Sequence, residues 1–192
     1  MRWLWIDRFT KFVSGQQAEA VKNVTIDEEV LDRYLPHFPM FPPSLIIEGL
    51  AHTGGLLVGE MSGFRDRVVL AKVGKAVFHR PVFPGDQLCY RVTLQDRNEH
   101  GAIVEGAAYV EEATVAEVDL MFAHLDDRFP EELFSAEELV QLLHAYRLFE
   151  VATTADGQPI AIPERLLQAA QKNHPPANAH APTTGPQVLT DS

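Results

Sequence analysis

A single cysteine, Cys89, stands in 192 residues, so no disulfide can form within the chain. It sits in the apolar run Leu88-Cys89-Tyr90, which reads as a core thiol in a reducing compartment. Long apolar runs are also missing. Trp3, Leu4, Trp5 and Ile6 are followed at once by Asp7, Arg8 and Lys11, too short a stretch for a signal-peptide core. No segment approaches the ~20 apolar residues that span a bilayer, and the expectation is a soluble, cytoplasmic protein. Positive charge is scarce: 16 Lys and Arg face 27 Asp and Glu, for a net charge of −11. That balance argues against nucleic-acid binding, which needs a basic surface to displace counterions. There is no Gly-rich phosphate loop after a strand and no G-x-S-x-G elbow.

What is there fits an ordinary globular domain, with 46% hydrophobic and 22% charged residues. Residues 2–13 and 17–26 are strand-like on either side of the Ser14-Gly15 turn signal, and so predict a hairpin. Residues 27–34 predict a short helix with Asp27 as N-cap. Four prolines in residues 36–43 make a stiff connection that contains His37. Residues 44–61 are apolar nearly all round, the pattern of a helix buried on every face, and Pro42, Pro43 and Ser44 suit its start. Gly54 and Gly55 inside it require close packing against a sheet or a second copy. Strands are predicted over 68–83, 87–95, 102–110 and 114–124, with turns at Pro84-Gly85-Asp86 and 98–101.

One long helix with strands on both sides of it in sequence predicts an α+β fold, one sheet around one helix, over residues 1–125. Residues 126–172 read as a helical extension. A capping box (Ser135 to Glu138) opens an amphipathic helix over 135–147, and a second helix is expected at 162–172. Residues 173–192, rich in Pro, Ala and Thr, read as a disordered tail.

Glu48 is the residue in the most awkward position, a carboxylate in Leu45-Ile46-Ile47-Glu48-Gly49-Leu50-Ala51. An unpaired charge there would cost several kcal/mol, so Glu48 is paired, protonated or functional. His52, at i+4, offers a partner, and a pair that merely satisfies both groups is one reading. His37 offers the other, because its loop leads into the Glu48 helix. An imidazole base and a raised-pKa carboxylic acid on one apolar cleft suit proton abstraction coupled to loss of a leaving group. His37, Glu48 and His52 do not have the spacing of a recognised metal site.

Several segments occur in an order that carries a resemblance: Trp5-Ile6-Asp7-Arg8, Ala20-Val21-Lys22-Asn23-Val24, His37-Phe38-Pro39, Phe41-Pro42, Leu45 to Gly49, and Phe78 to Asp86 with its Arg80-Pro81-Val82-Phe83-Pro84-Gly85-Asp86. Over roughly residues 2–125 the chain resembles the bacterial β-hydroxyacyl-acyl-carrier-protein dehydratases of fatty acid biosynthesis. The resemblance implies a hotdog fold and a lyase that forms a trans-2-enoyl thioester without a metal or redox cofactor. It implies a homodimer, or a trimer of dimers, with acyl tunnels along the dimer interface. His37 would be the base and Glu48, from the opposite protomer, the acid. Phe38, Pro43, Ser44 and His52 would line the substrate site. Two other readings of such a fold stay open: a non-catalytic acyl-thioester binder, and a thioesterase in which Glu48 orients water.

Three departures stand out. The His-Phe-Pro loop is shortened before Met40, and His52 replaces the family's usual glutamine. Pro43, which has no N–H, occupies the position of a glycine whose N–H polarises the thioester carbonyl. Arg65, Arg67, Lys72, Lys75, His79 and Arg80 concentrate positive charge that could steer an acidic carrier protein, or could simply be solvated charge at a sheet edge.

Overall fold

A computed structural model describes residues 5–34, 37–125 and 135–172. The chain runs β1 (Arg8–Val13), β2 (Gln17–Asn23), α1 (Glu29–Tyr34), α2 (Pro43–Glu60), β3 (Arg67–Phe78), β4 (Gln87–Asn98), β5 (Gly101–Val110) and β6 (Ala113–Leu125). It continues with α3 (Ala136–Ala145), α4 (Leu148–Val151), β7 (Ala152–Thr153) and α5 (Glu164–Lys172). The tail expected at 173–192 lies outside the described residues.

The strands form one sheet in the order β3-β6-β5-β4-β2-β1-β7, antiparallel throughout except for the parallel β1–β7 pair. Helix α2 packs on β2 through β6. Leu50, Leu57, Val58, Tyr90, Val92, Val104 and Leu120 are buried in the core between them. This is the α+β hotdog arrangement. Alternation drives it: in β5 and β6 nearly every second residue turns to the helix.

Several elements differ from the sequence expectation. β3 ends at Phe78 rather than running to 83, because Pro81 and Pro84 cannot donate to a ladder. The helix before His37 starts at Glu29, not after an Asp27 cap. Glu28 organises the turn instead, its carboxylate accepting from the Thr25 N–H (3.1 Å) and pairing with Lys22 (2.8 Å). Cys89 is not a core thiol. Leu88 and Tyr90 face inward, so Cys89 points to the other face and is half-buried. Gly54 does meet the sheet closely: an added Cβ would lie 3.1 Å from Phe122 and 3.3 Å from Val104.

The segment after β6 belongs to the same core. The expected capping box forms, with the Glu138 N–H donating to Ser135 Oγ and the Ser135 N–H to Glu138 Oε2. Leu143, Tyr146 and Leu148 are buried, and Tyr146 lies edge-on to Phe9. The Phe9 N–H donates to Tyr146 O (2.9 Å) and the Ser14 N–H to Thr153 O (2.9 Å). Beyond its helices this segment therefore contributes a strand, β7, that covers the outer edge of β1. At the opposite edge β3 is twelve residues long, and Leu70, Val73 and Phe78 are exposed along it.

Candidate active site

The loop that carries His37 is fastened just downstream of it. The Phe41 N–H donates to Val82 O (2.8 Å), and the Phe41 ring is buried edge-on to Trp5. Phe38 stays half-exposed, its ring edge-on to Phe83 at 5.4 Å. His37 is exposed and adopts a left-handed backbone (φ 73°), uncommon for a residue with a Cβ.

Pro42 and Pro43 then launch α2. Pro42 is the N-cap residue and Pro43 the first helical residue, where its fixed φ suits the helix and its missing N–H breaks no helical bond. The Leu45 N–H donates to Pro42 O (2.9 Å), whereas no carbonyl among the described residues accepts the Ser44 N–H. Ser44 is exposed, and its N–H is an unclaimed donor of this first turn.

α2 is not buried on every face in the single chain. Leu45, Ile47, Glu48, His52, Gly55 and Leu56 are all partly open, while Ile46, Leu50, Leu57 and Val58 are buried against the sheet. Glu48 and His52 lie on the open side with side chains 45% and 29% exposed, and His52 Nε2 is 3.1 Å from Glu48 Oε1. This hydrogen bond, more than the Coulombic attraction that accompanies it, holds the Glu48 carboxyl below the usual range, against the opposing pull of burial. The expectation of a raised-pKa acid is thus reversed in the single chain, because a partner one helical turn away outweighs partial desolvation. His52 Nδ1 is buried and has no hydrogen-bond partner among the described residues.

No hydrogen bond or ion pair among the described residues joins His37 to Glu48. The fold puts His37 on the loop entering α2 and Glu48 on its open face. Of the positive cluster, Arg65, Lys72, Lys75, His79 and Arg80 are exposed, and His79 is paired with Glu117 at 2.9 Å.

One neighbour of the site escaped the sequence reading. Gly49 abuts the ring of Tyr90, which is fully buried with its hydroxyl unpartnered, and a Cβ on Gly49 would overlap that ring. The signal was present, since a glycine inside a helix marks close approach of another group.

The FabA-like domain family matches residues 1–119 of the chain. The 3-hydroxyacyl-acyl-carrier-protein dehydratase FabZ of Wolinella succinogenes is 40% identical over 125 residues, covering 62% of this chain and 83% of the relative. That of Symbiobacterium thermophilum is 38% identical over 130 residues, covering 67% and 92%. Among solved structures, the dehydratase heterocomplex ApeI:P of Xenorhabdus doucetiae superposes with a TM-score of 0.56 at 18% identity, covering 73% of this chain and 89% of that one. The acetyl-CoA-bound smu.793 of Streptococcus mutans superposes at 0.54 with 13% identity, covering 65% and 93%. The two structures share the fold, and the sequence relatives and family model carry the assignment: the chain belongs to the FabA-like family and is a β-hydroxyacyl-acyl-carrier-protein dehydratase-like hotdog protein.

Proposed function

We propose that the protein is a hydro-lyase that removes water from a β-hydroxyacyl thioester on acyl carrier protein and yields the trans-2-enoyl thioester. The carrying observation is a carboxyl group on the open, apolar side of α2, in a chain 40% identical to a curated enzyme named for this substrate. His37 takes the α-proton, the Cβ–O bond breaks, and Glu48 protonates the departing hydroxyl as water. The Ser44 N–H, aligned with the positive end of the helix, stabilises charge on the thioester oxygen.

The two groups act across a dimer, the His37 of one protomer with the Glu48 of a second. The outer edge of β3, the terminal strand of the sheet among the described residues, and the half-open face of α2 supply the surface for that pairing. Covering Glu48 with a second copy adds desolvation, which raises its pKa and counters the hold of His52. Lys72 and Lys75 on β3, with Arg65 and Arg80 near its ends, give the acidic carrier a basic approach.

The deciding assay offers a β-hydroxyacyl-carrier thioester and follows enoyl absorbance and free thiol together. Enoyl product without thiol release is the expected result. Thiol release would identify a thioesterase, and binding without either product a non-catalytic carrier-binding protein.

A further inference from the structure

The far end of α2 carries a feature that the proposed chemistry does not use. At the 3.6-residue spacing of a helix, Ser44, Glu48, His52, Gly55 and Gly59 fall on one stripe. The stripe has a direction. With the thioester carbonyl at the Ser44 N–H and the β-hydroxyl at Glu48 one turn later, the acyl tail continues the same vector past His52 and over Gly55, beside Leu56. It ends at Phe64. Gly63 and Phe64 both take left-handed backbones (φ 59° each), and the Phe64 N–H returns to Gly59 O at 2.8 Å. This turn folds the Phe64 ring back across the stripe, where a Cβ on Gly59 would lie 3.3 Å from it. A left-handed backbone is unfavourable for phenylalanine and persists only where its surroundings enforce it.

Part of the enforcement comes from outside the stretch matched by the family domain, residues 1–119. Phe149 of α4 stands edge-on behind the Phe64 ring, centroids 6.4 Å apart. Arg165 of α5 donates to Gly63 O, and Pro163 packs on Gly63. From the other side, the Ser14 hydroxyl donates to the Glu60 carboxylate at the end of α2. The turn is held from both flanks.

We propose that Phe64, braced by Phe149, is the end wall of the acyl groove and sets the longest acyl chain that the site accepts. The inference rests on the dehydratase reading for the direction of the tail. The axial rise from Glu48 to Gly59 is about 16 Å, less the thickness of the ring, which suits medium-length tails and excludes longer ones.

The test compares β-hydroxydecanoyl and β-hydroxystearoyl thioesters of acyl carrier protein, using the full chain. The wild type should favour the decanoyl substrate. Phe64→Gly, which suits the left-handed backbone while removing the wall, should raise the stearoyl-to-decanoyl ratio of kcat/KM at least about ten-fold, the scale on which apolar pockets discriminate chain length. Phe149→Ala should move it the same way by less, and Phe64→Trp the opposite way. Calorimetric affinities for the two thioesters on the same proteins give the ratio even without turnover, so failure of the dehydratase reading is seen separately from failure of the wall. Should Phe64→Gly not fold, Phe149→Ala and Phe64→Trp carry the comparison. An unchanged ratio in the folded variants overturns the proposal.

Discussion

His52 Nε2 reaches Glu48 Oε1 at 3.1 Å, one helical turn along α2, while its own Nδ1 is buried without a partner among the described residues. The arrangement favours a carboxylate at Glu48, and its pKa lies below the ordinary carboxyl value chiefly because of that hydrogen bond. A carboxyl depressed in the folded state contributes stability above its unfolded pKa, and that contribution is lost as pH falls through the lower folded value. Removing the bond in His52→Ala should therefore raise the Glu48 pKa. A carboxyl-carbon NMR titration of both proteins checks this, and an unmoved Glu48 would mean that the pair does not form in solution.

His37→Ala and Glu48→Gln should each suppress enoyl formation by about 10²–10⁴-fold while leaving the protein folded. Co-refolding the two inactive variants should restore part of the activity, since a mixed dimer regains one intact site. Near-normal turnover of either single variant, or no recovery in the mixture, would count against the shared site.

Charge placed on the open strand should separate the protomers. Val73→Asp puts a carboxylate in the exposed middle of β3, and charged residues on an edge strand oppose pairing with another chain. Sedimentation should show a shift to monomer with loss of turnover. A dimer that survives intact would place the contact elsewhere.

Pro43 holds the first helical position and cannot donate, so the exposed Ser44 supplies the next N–H along the helix. Ser44→Pro keeps a first turn that tolerates proline but deletes that donor. It should lower kcat about 10²–10³-fold, whereas Pro43→Gly should change kcat little. If both variants turn over like the wild type, the carbonyl does not sit at this helix end.

Gly49→Ala should destabilise the fold by about 1–3 kcal/mol, because the new methyl overlaps the buried Tyr90 ring. Combining it with Tyr90→Leu, which frees that space, should cost less than the two changes summed. Tyr90→Phe alone should be neutral or slightly stabilising, since the hydroxyl it removes has no partner. Denaturant melts of the four variants and the wild type decide this.

Much of the fold and part of the site were legible because they depend on local pattern. The β1–β2 hairpin followed from Ser14-Gly15, the Ser135–Glu138 cap from its spacing, and the Glu48–His52 contact from i+4 geometry. Cys89 was also legible, because alternation with Leu88 and Tyr90 turns it outward; reading the apolar run without its period misplaced it. β7 was not, since two residues have no periodicity and pair with β1 across 140 positions of chain. The open side of α2 was hidden for a different reason. An apolar helix face looks the same in sequence whether its own sheet, a second copy or a substrate covers it.

The two ends of the sheet are unlike. β7 and the carbonyls of Tyr146 and Thr153 occupy the outer backbone of β1, while no strand among the described residues pairs with the outer edge of β3. A sheet with two bare ends can grow from both and build a fibre, but one with a single bare end joins a copy of itself about a two-fold axis and then has nothing left to offer. The segment 136–153 thus caps the β1 end of the sheet as well as filling the core around Phe9, and its loss should free that edge for polymerisation at the same time as it loosens the fold.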